Sequence, residues 1–148
     1  FLHNSLTDLA VALEMKEIIH MFDDVIRNKF LATPGYCTLT GGRSIAFLSK
    51  SGLANPLVMA PFNPLGYQMS PSKAVCESAL EAFPAQVVAM SVLAGGAVKP
   101  AEAAAYLSKF PVIKSVILGA SSRRHIQESL QAFAPLFKPA PGNIGHPP

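Results

Sequence analysis

The chain has no tryptophan, only two cysteines and little charge, and each shortage removes a class of protein. Cys37 and Cys76 lie far apart and stand in no C-x-x-C or Cys/His spacing, so neither a zinc site nor a disulfide framework is expected and no metal ligands are assigned. Reduced thiols fit an intracellular protein, here read as cytoplasmic. The longest apolar run, VVAMSVLAGGAV, is interrupted by Ser91, Gly95 and Gly96 and falls short of the roughly 18–20 residues that a bilayer span needs. No basic segment followed by an apolar one opens the chain, so neither secretion nor a membrane partner is expected. Charged residues make up 14% of the chain, below the roughly 25% of an average soluble domain. That deficit suggests surface meant to be covered by something else. The net charge is +3, with bases scattered and only Arg123 and Arg124 adjacent; a nucleic-acid footprint needs a clustered patch, so that partner class is excluded.

What is present is apolar and repetitive. Half of the 148 residues are hydrophobic, enough for one domain with a sizeable core. One plan recurs: a short apolar run, a turn bearing Gly or Pro, then a segment with helical spacing. FLHNS reads as the end of a strand. Thr7 or Asp8 then caps a long helix over about residues 9–29, with Leu9, Leu13, Ile18, Ile19, Phe22, Val25 and Ile26 on one face. FLATPGYCTLT reads as a strand with an irregular middle at Pro34, and GGRSIAFLSKSG as a short helix stopped by Gly52. NPLVMAPFNPLGYQM is a strand leaving through a long loop, after which Ser70 and Pro71 read as N-cap and first residue of a helix. QVVAMSVLAGG is the cleanest buried strand, with Pro100 at the following helix start. VIKSVILGASS is the last strand, and Ser121 or Ser122 caps RRHIQESLQAFAPLF.

Alternating strands and helices imply parallel pairing through crossovers. Five strands, the first a stub, amount to about half of a closed eight-stranded barrel, which needs about 250 residues. The expected fold is therefore α/β, parallel βα repeats forming about half of a TIM-type (β/α)8 barrel over residues 1–138, followed by a Pro/Gly-rich tail over residues 139–148. His3 then stands at the carboxyl end of a strand whose beginning lies outside the chain.

In that order of strand ends the sequence resembles the C-terminal half of an aldo/keto reductase-like barrel. FLHNSLTD is similar to the family's fourth-strand end, PGYCTLT to the fifth, FNPLGYQM to the sixth, AMSVLAGG to the seventh, and VILGASSRRHIQESL to the eighth strand and the helix that grips the cofactor's adenosine phosphate. The resemblance implies NADP-dependent carbonyl reduction of a small carbonyl substrate, with His3 at the reaction centre. It implies a cofactor site drawn from Cys37, Thr38, Ser91, Leu93, Gly95, Gly96, Gly119, Ser121, Ser122, Arg124 and Glu128. The chain departs from the family at both nicotinamide contacts, where Met59 and Met90 replace a glutamine and an aromatic, and at His125 and Ser129 around Glu128. The family's aspartate, tyrosine and lysine for proton transfer belong to earlier strands, so the chain is expected to be inactive alone. A missing N-terminal half or a second copy is the expected partner.

Independently of family, loops after the last two strands of such barrels commonly bind phosphate, because glycine amides and a helix N-terminus present N–H donors to an anion. The alternatives are a phosphate-ligand lyase or isomerase with no use for nicotinamide, and a non-catalytic half-barrel that self-associates. A Schiff-base aldolase is disfavoured, since Lys114 lies at a strand start and Lys99 beyond a loop. Asn63, Tyr67 and Gln68 fit equally a ligand-lined mouth and a loop built for shape. His20 and His125 read as surface residues, and His146 as a tail residue.

Overall fold

A computed structural model describes residues 1–137; Lys138, the tail over 139–148 and its His146 lie outside the described residues. The elements run α1 (Asn4–Ala12), α2 (Lys16–Phe30), β1 (Gly35–Cys37), α3 (Gly41–Lys50), β2 (Leu57–Pro61), α4 (Lys73–Ala82), β3 (Gln86–Met90), α5 (Pro100–Leu107), β4 (Ile113–Val116) and α6 (Arg123–Phe133), with 3-10 turns at Ala94–Gly96 and Ala134–Phe137. The four strands form one parallel sheet in the order β1-β2-β3-β4, so neighbours in sequence are neighbours in space. Leu2 bridges in parallel to Tyr36 on the outer side of β1, which puts the expected stub at the head of the same order. The chain is an α/β protein of parallel βα units. No helix among the described residues is long and apolar enough to cross a membrane.

The pleat sorts the strand residues by face. Tyr36, Val58, Ala60, Val87 and Ala89 point one way and are essentially fully buried under the helices, where α3 packs on α4 and α5 on α6. Leu57, Met59, Val88 and Met90 occupy the other face and are only half-buried. The helix-facing layer thus carries the core, together with Ile45, Leu48, Leu80, Ala103 and Leu107.

Three expectations about elements need correction. The single helix over residues 9–29 is two helices, broken at Leu13–Met15, where Glu14 takes a left-handed φ of 54°. Ala10 and Ile19 are both fully buried, yet a spacing of nine residues is about two and a half turns, which would place them on opposite sides of one continuous helix. The break lets each helix turn its own side inward, and Leu9, Leu13 and Val25, expected inside, are exposed. The first helix also starts at Asn4, capped by His3, whose Nδ1 accepts from the Ser5 N–H at 3.3 Å. Finally, α4 is capped by Ser72 rather than Ser70: the extended backbone of Ser72 lets its Oγ accept from the Val75 N–H at 3.3 Å, while the Ser70 carbonyl accepts from the Cys76 thiol.

Two phenols tie helices to their surroundings. Tyr36 donates to Asp23, which also takes the Arg27 guanidinium at 2.7 Å, and Tyr106 donates to Glu77 at 2.8 Å. Burial first, and then the neighbouring carboxylate, push both phenols well above their ordinary value of 10.0. A group whose proton is held more tightly in the folded chain contributes stability that is present below its unfolded pKa and lost above it. The unfolding midpoint in denaturant should therefore hold up to about pH 10 and fall beyond it, and Tyr106→Phe should shallow that fall. An unchanged alkaline slope in Tyr106→Phe would show that its phenol carries none of it.

Candidate functional site

The carboxyl ends of β3 and β4 carry the two glycine-bearing loops. Beyond Met90 the backbone is left-handed at four positions, Ser91, Ala94, Gly95 and Gly96. At the two non-glycine positions this costs about 1–2 kcal/mol each, so the turn must be held from outside itself. Asn63, fully buried in the loop after β2, holds it: its Nδ2 donates to the Ser91 carbonyl at 3.2 Å and to the Tyr67 carbonyl at 2.8 Å, while its Oδ1 accepts from the Tyr67 N–H at 2.8 Å. The Ser91 hydroxyl adds a bond to Gln68 at 3.0 Å. Asn63 is thus a shaping residue, and Tyr67 and Gln68 line the mouth it shapes.

Past the turn, Lys99 occupies the N-cap position of α5 with no side-chain cap and Pro100 follows as first residue. The first turn of α5 brings no free amide to the loops: Pro100 has no N–H, the Ala103 amide donates to the Lys99 carbonyl at 3.0 Å, and Ala101 and Glu102 lie outside the lining of the cavity onto which the loops open. On the other loop, Ser122 caps α6 by accepting from the His125 N–H at 3.2 Å, as the sequence suggested, and Ser121 Oγ meets His125 Nδ1 at 3.0 Å. A Cβ built on Gly96 or Gly119 would meet nothing within 4 Å, so both backbones face open space.

Both loops open onto one cavity of about 890 Å³, a volume within the roughly 300–1,000 Å³ of small-molecule sites. Ser91, Leu93, Gly95, Gly96, Gly119, Ser121 and Glu128 all line it, as does Met90. Among the lining residues that the sequence did not assign to the site are the polar side chains of Lys99, His125 and Ser129. His125, Glu128 and Ser129 fall at i, i+3 and i+4 on α6, the spacing of one helix face, which was the signal available for them.

The other expected cofactor contacts lie elsewhere. Ser122 is committed to its cap, and Arg124 lies outside the cavity lining, its Nε 2.7 Å from Glu128 Oε1 and its side chain 84% exposed. That guanidinium holds the Glu128 carboxyl below its ordinary range. Cys37 and Thr38 end β1 away from the cavity lining, and Thr38 is fully buried, its hydroxyl shared among Asp8, Ser44 and Thr40. Burial, followed by Asp8, raises the Cys37 thiol, which keeps it protonated. His3 is exposed at the head of α1 and outside the cavity lining. Among the described residues no group of three or more His, Cys, Asp or Glu comes together to hold a metal.

Compared with known proteins, the chain matches no family model, no curated protein and no solved structure.

Proposed function

We propose that the chain forms about half of a TIM-type barrel similar to that of the aldo/keto reductases, and that its cavity takes the adenosine diphosphate part of a nicotinamide dinucleotide. The observation that carries the reading is the convergence of the two glycine-bearing loops, from adjacent parallel strands, on one cavity with Lys99 at its edge. The backbones of Gly95 and Gly119 and the ammonium group of Lys99 are the donors that would meet a diphosphate, the Gly96 amide being taken by the Leu93 carbonyl at 2.8 Å. The nicotinamide end fits less well: the thioethers of Met59 and Met90 supply neither the amide hydrogen bonds nor the flat stacking face that the family uses.

A bound dinucleotide would supply hydride for carbonyl reduction. His3 is suited to hold the carbonyl, because its Nδ1 accepts from the Ser5 amide and so leaves the proton on Nε2, a donor. The aspartate, tyrosine and lysine of the family's proton transfer belong to strands that precede these, so turnover requires those groups from outside the described sheet. Lysing or isomerising a sugar phosphate is the second reading, and Met59 and Met90 favour it, since such chemistry makes no demand for nicotinamide contacts.

Thermal unfolding with added ligand separates the two. A dinucleotide at about 100 times its Kd should stabilise the fold by about 2.7 kcal/mol, whereas inorganic phosphate at the same concentration should do little. Equal small shifts from phosphate and dinucleotide would overturn the nucleotide reading, and stabilisation by sugar phosphates alone would favour the second one.

A further inference from the structure

The cavity divides by charge. At the β3 end stand the glycine turn and Lys99; at the α6 end stand Glu128, His125 and Ser129. Ser129 is 4% exposed and lines the cavity. The arginine expected to meet a phosphate at this end is outside the cavity lining and engaged with the carboxylate that lines it. Turning Arg124 toward a phosphate would strip Glu128 of its partner and leave that carboxylate facing the new anion.

Resting on the nucleotide reading above, we infer that the site selects a dinucleotide whose adenosine ribose carries free hydroxyls and rejects one that is phosphorylated there, so that NADH is preferred to NADPH. A carboxylate accepts hydrogen bonds from a ribose diol and repels a phosphate in the same place, the division that separates the two cofactors in other dinucleotide sites. Glu128 Oε1 takes Arg124, which leaves Oε2 for the diol, and the Ser129 hydroxyl lies one residue further along the same face. The Arg124 pairing also keeps Glu128 ionised at neutral pH and below, so the repulsion persists.

The test is a parallel titration of the full chain with NADH and NADPH by calorimetry, on the wild type, Glu128→Gln and Arg124→Ala. Glu128 and Arg124 are exposed, so neither substitution should disturb folding. The expected result is NADH bound roughly tenfold or more tightly than NADPH, the scale of one like-charge contact near a surface. Glu128→Gln should close most of that gap by strengthening NADPH, and Arg124→Ala should leave NADPH no weaker. Equal or tighter binding of NADPH, a selective loss of NADPH in Arg124→Ala, or a gap unmoved by Glu128→Gln would each overturn the assignment while leaving the nucleotide site standing. Binding of neither dinucleotide would overturn the nucleotide reading itself, and this assignment with it.

Discussion

Asn63→Leu should cost about 3–5 kcal/mol of folding stability and abolish ligand stabilisation at the β3 and β4 loops. The side chain is fully buried and makes three bonds, donating to the Tyr67 and Ser91 carbonyls and accepting from the Tyr67 amide. Leucine has a similar volume and none of this capacity, and each buried polar group left without a partner costs about 1–3 kcal/mol. Since a domain of this kind is stable by only about 5–15 kcal/mol, the loss is a large share of the total. The effect on binding follows from Ser91, whose left-handed backbone begins the turn that carries Gly95 and Gly96. Without the Asn63 bond to its carbonyl, the turn loses its buried anchor to the loop after β2 and keeps only the exposed bond from the Ser91 hydroxyl to Gln68. Denaturant unfolding gives the first number, and the ligand-induced shift in thermal midpoint gives the second. A loss under about 1 kcal/mol would mean that water replaces the amide in the mutant, and the loop would then not depend on it.

That dependence could not be seen in FNPLGYQM, where an asparagine among Pro and Gly serves a ligand or a turn equally well. What was legible were features with local causes. The apolar run VVAM, buried on one face and half-buried on the other, formed β3 behind an exposed Gln86; Pro100 opened α5; Ser122, one of the two serines expected there, capped α6. The parallel order followed from strands alternating with helices. Features set by tertiary geometry were not legible. The apolar spacing across residues 9–29 slips once, by a five-residue step from Leu13 to Ile18 that a single long helix can still span, and the burial of both Ala10 and Ile19 goes with the break at Glu14. Lys99 carries no capping hydroxyl and so left no signal, though it lies at the edge of the cavity. Arg124 stands where a phosphate ligand was expected, yet the choice between cavity and carboxylate is made by its side-chain direction, which sequence position does not encode.

Thr38 shows the same limit at the other end of the sheet, and Asp8 is the residue to change. Asp8→Ala should lower stability by about 2–4 kcal/mol with no effect on dinucleotide binding by the molecules that remain folded. The Asp8 carboxylate on α1 accepts from the Thr38 hydroxyl, from the Leu39 amide at 3.1 Å and from the Thr40 hydroxyl at 3.0 Å. It therefore clasps the first helix to the turn that joins β1 to α3. Hydrogen bonds to a charged group contribute about 1.5–3 kcal/mol, and their removal leaves Thr38 and Thr40 in a part-buried site with only each other and Ser44. Asp8→Asn should fall between the two, since its amide keeps one acceptor oxygen but turns an NH₂ toward groups that are themselves donors. None of Asp8, Thr38 and Thr40 lines the 890 Å³ cavity, so the Kd for dinucleotide should stay within about twofold. Thr38→Val tests the point from the other side: as a clasp residue it lowers stability and leaves Kd alone. If Thr38 instead touches the cofactor, Kd rises in Thr38→Val while Asp8→Ala leaves it unchanged, and the clasp reading of Thr38 fails.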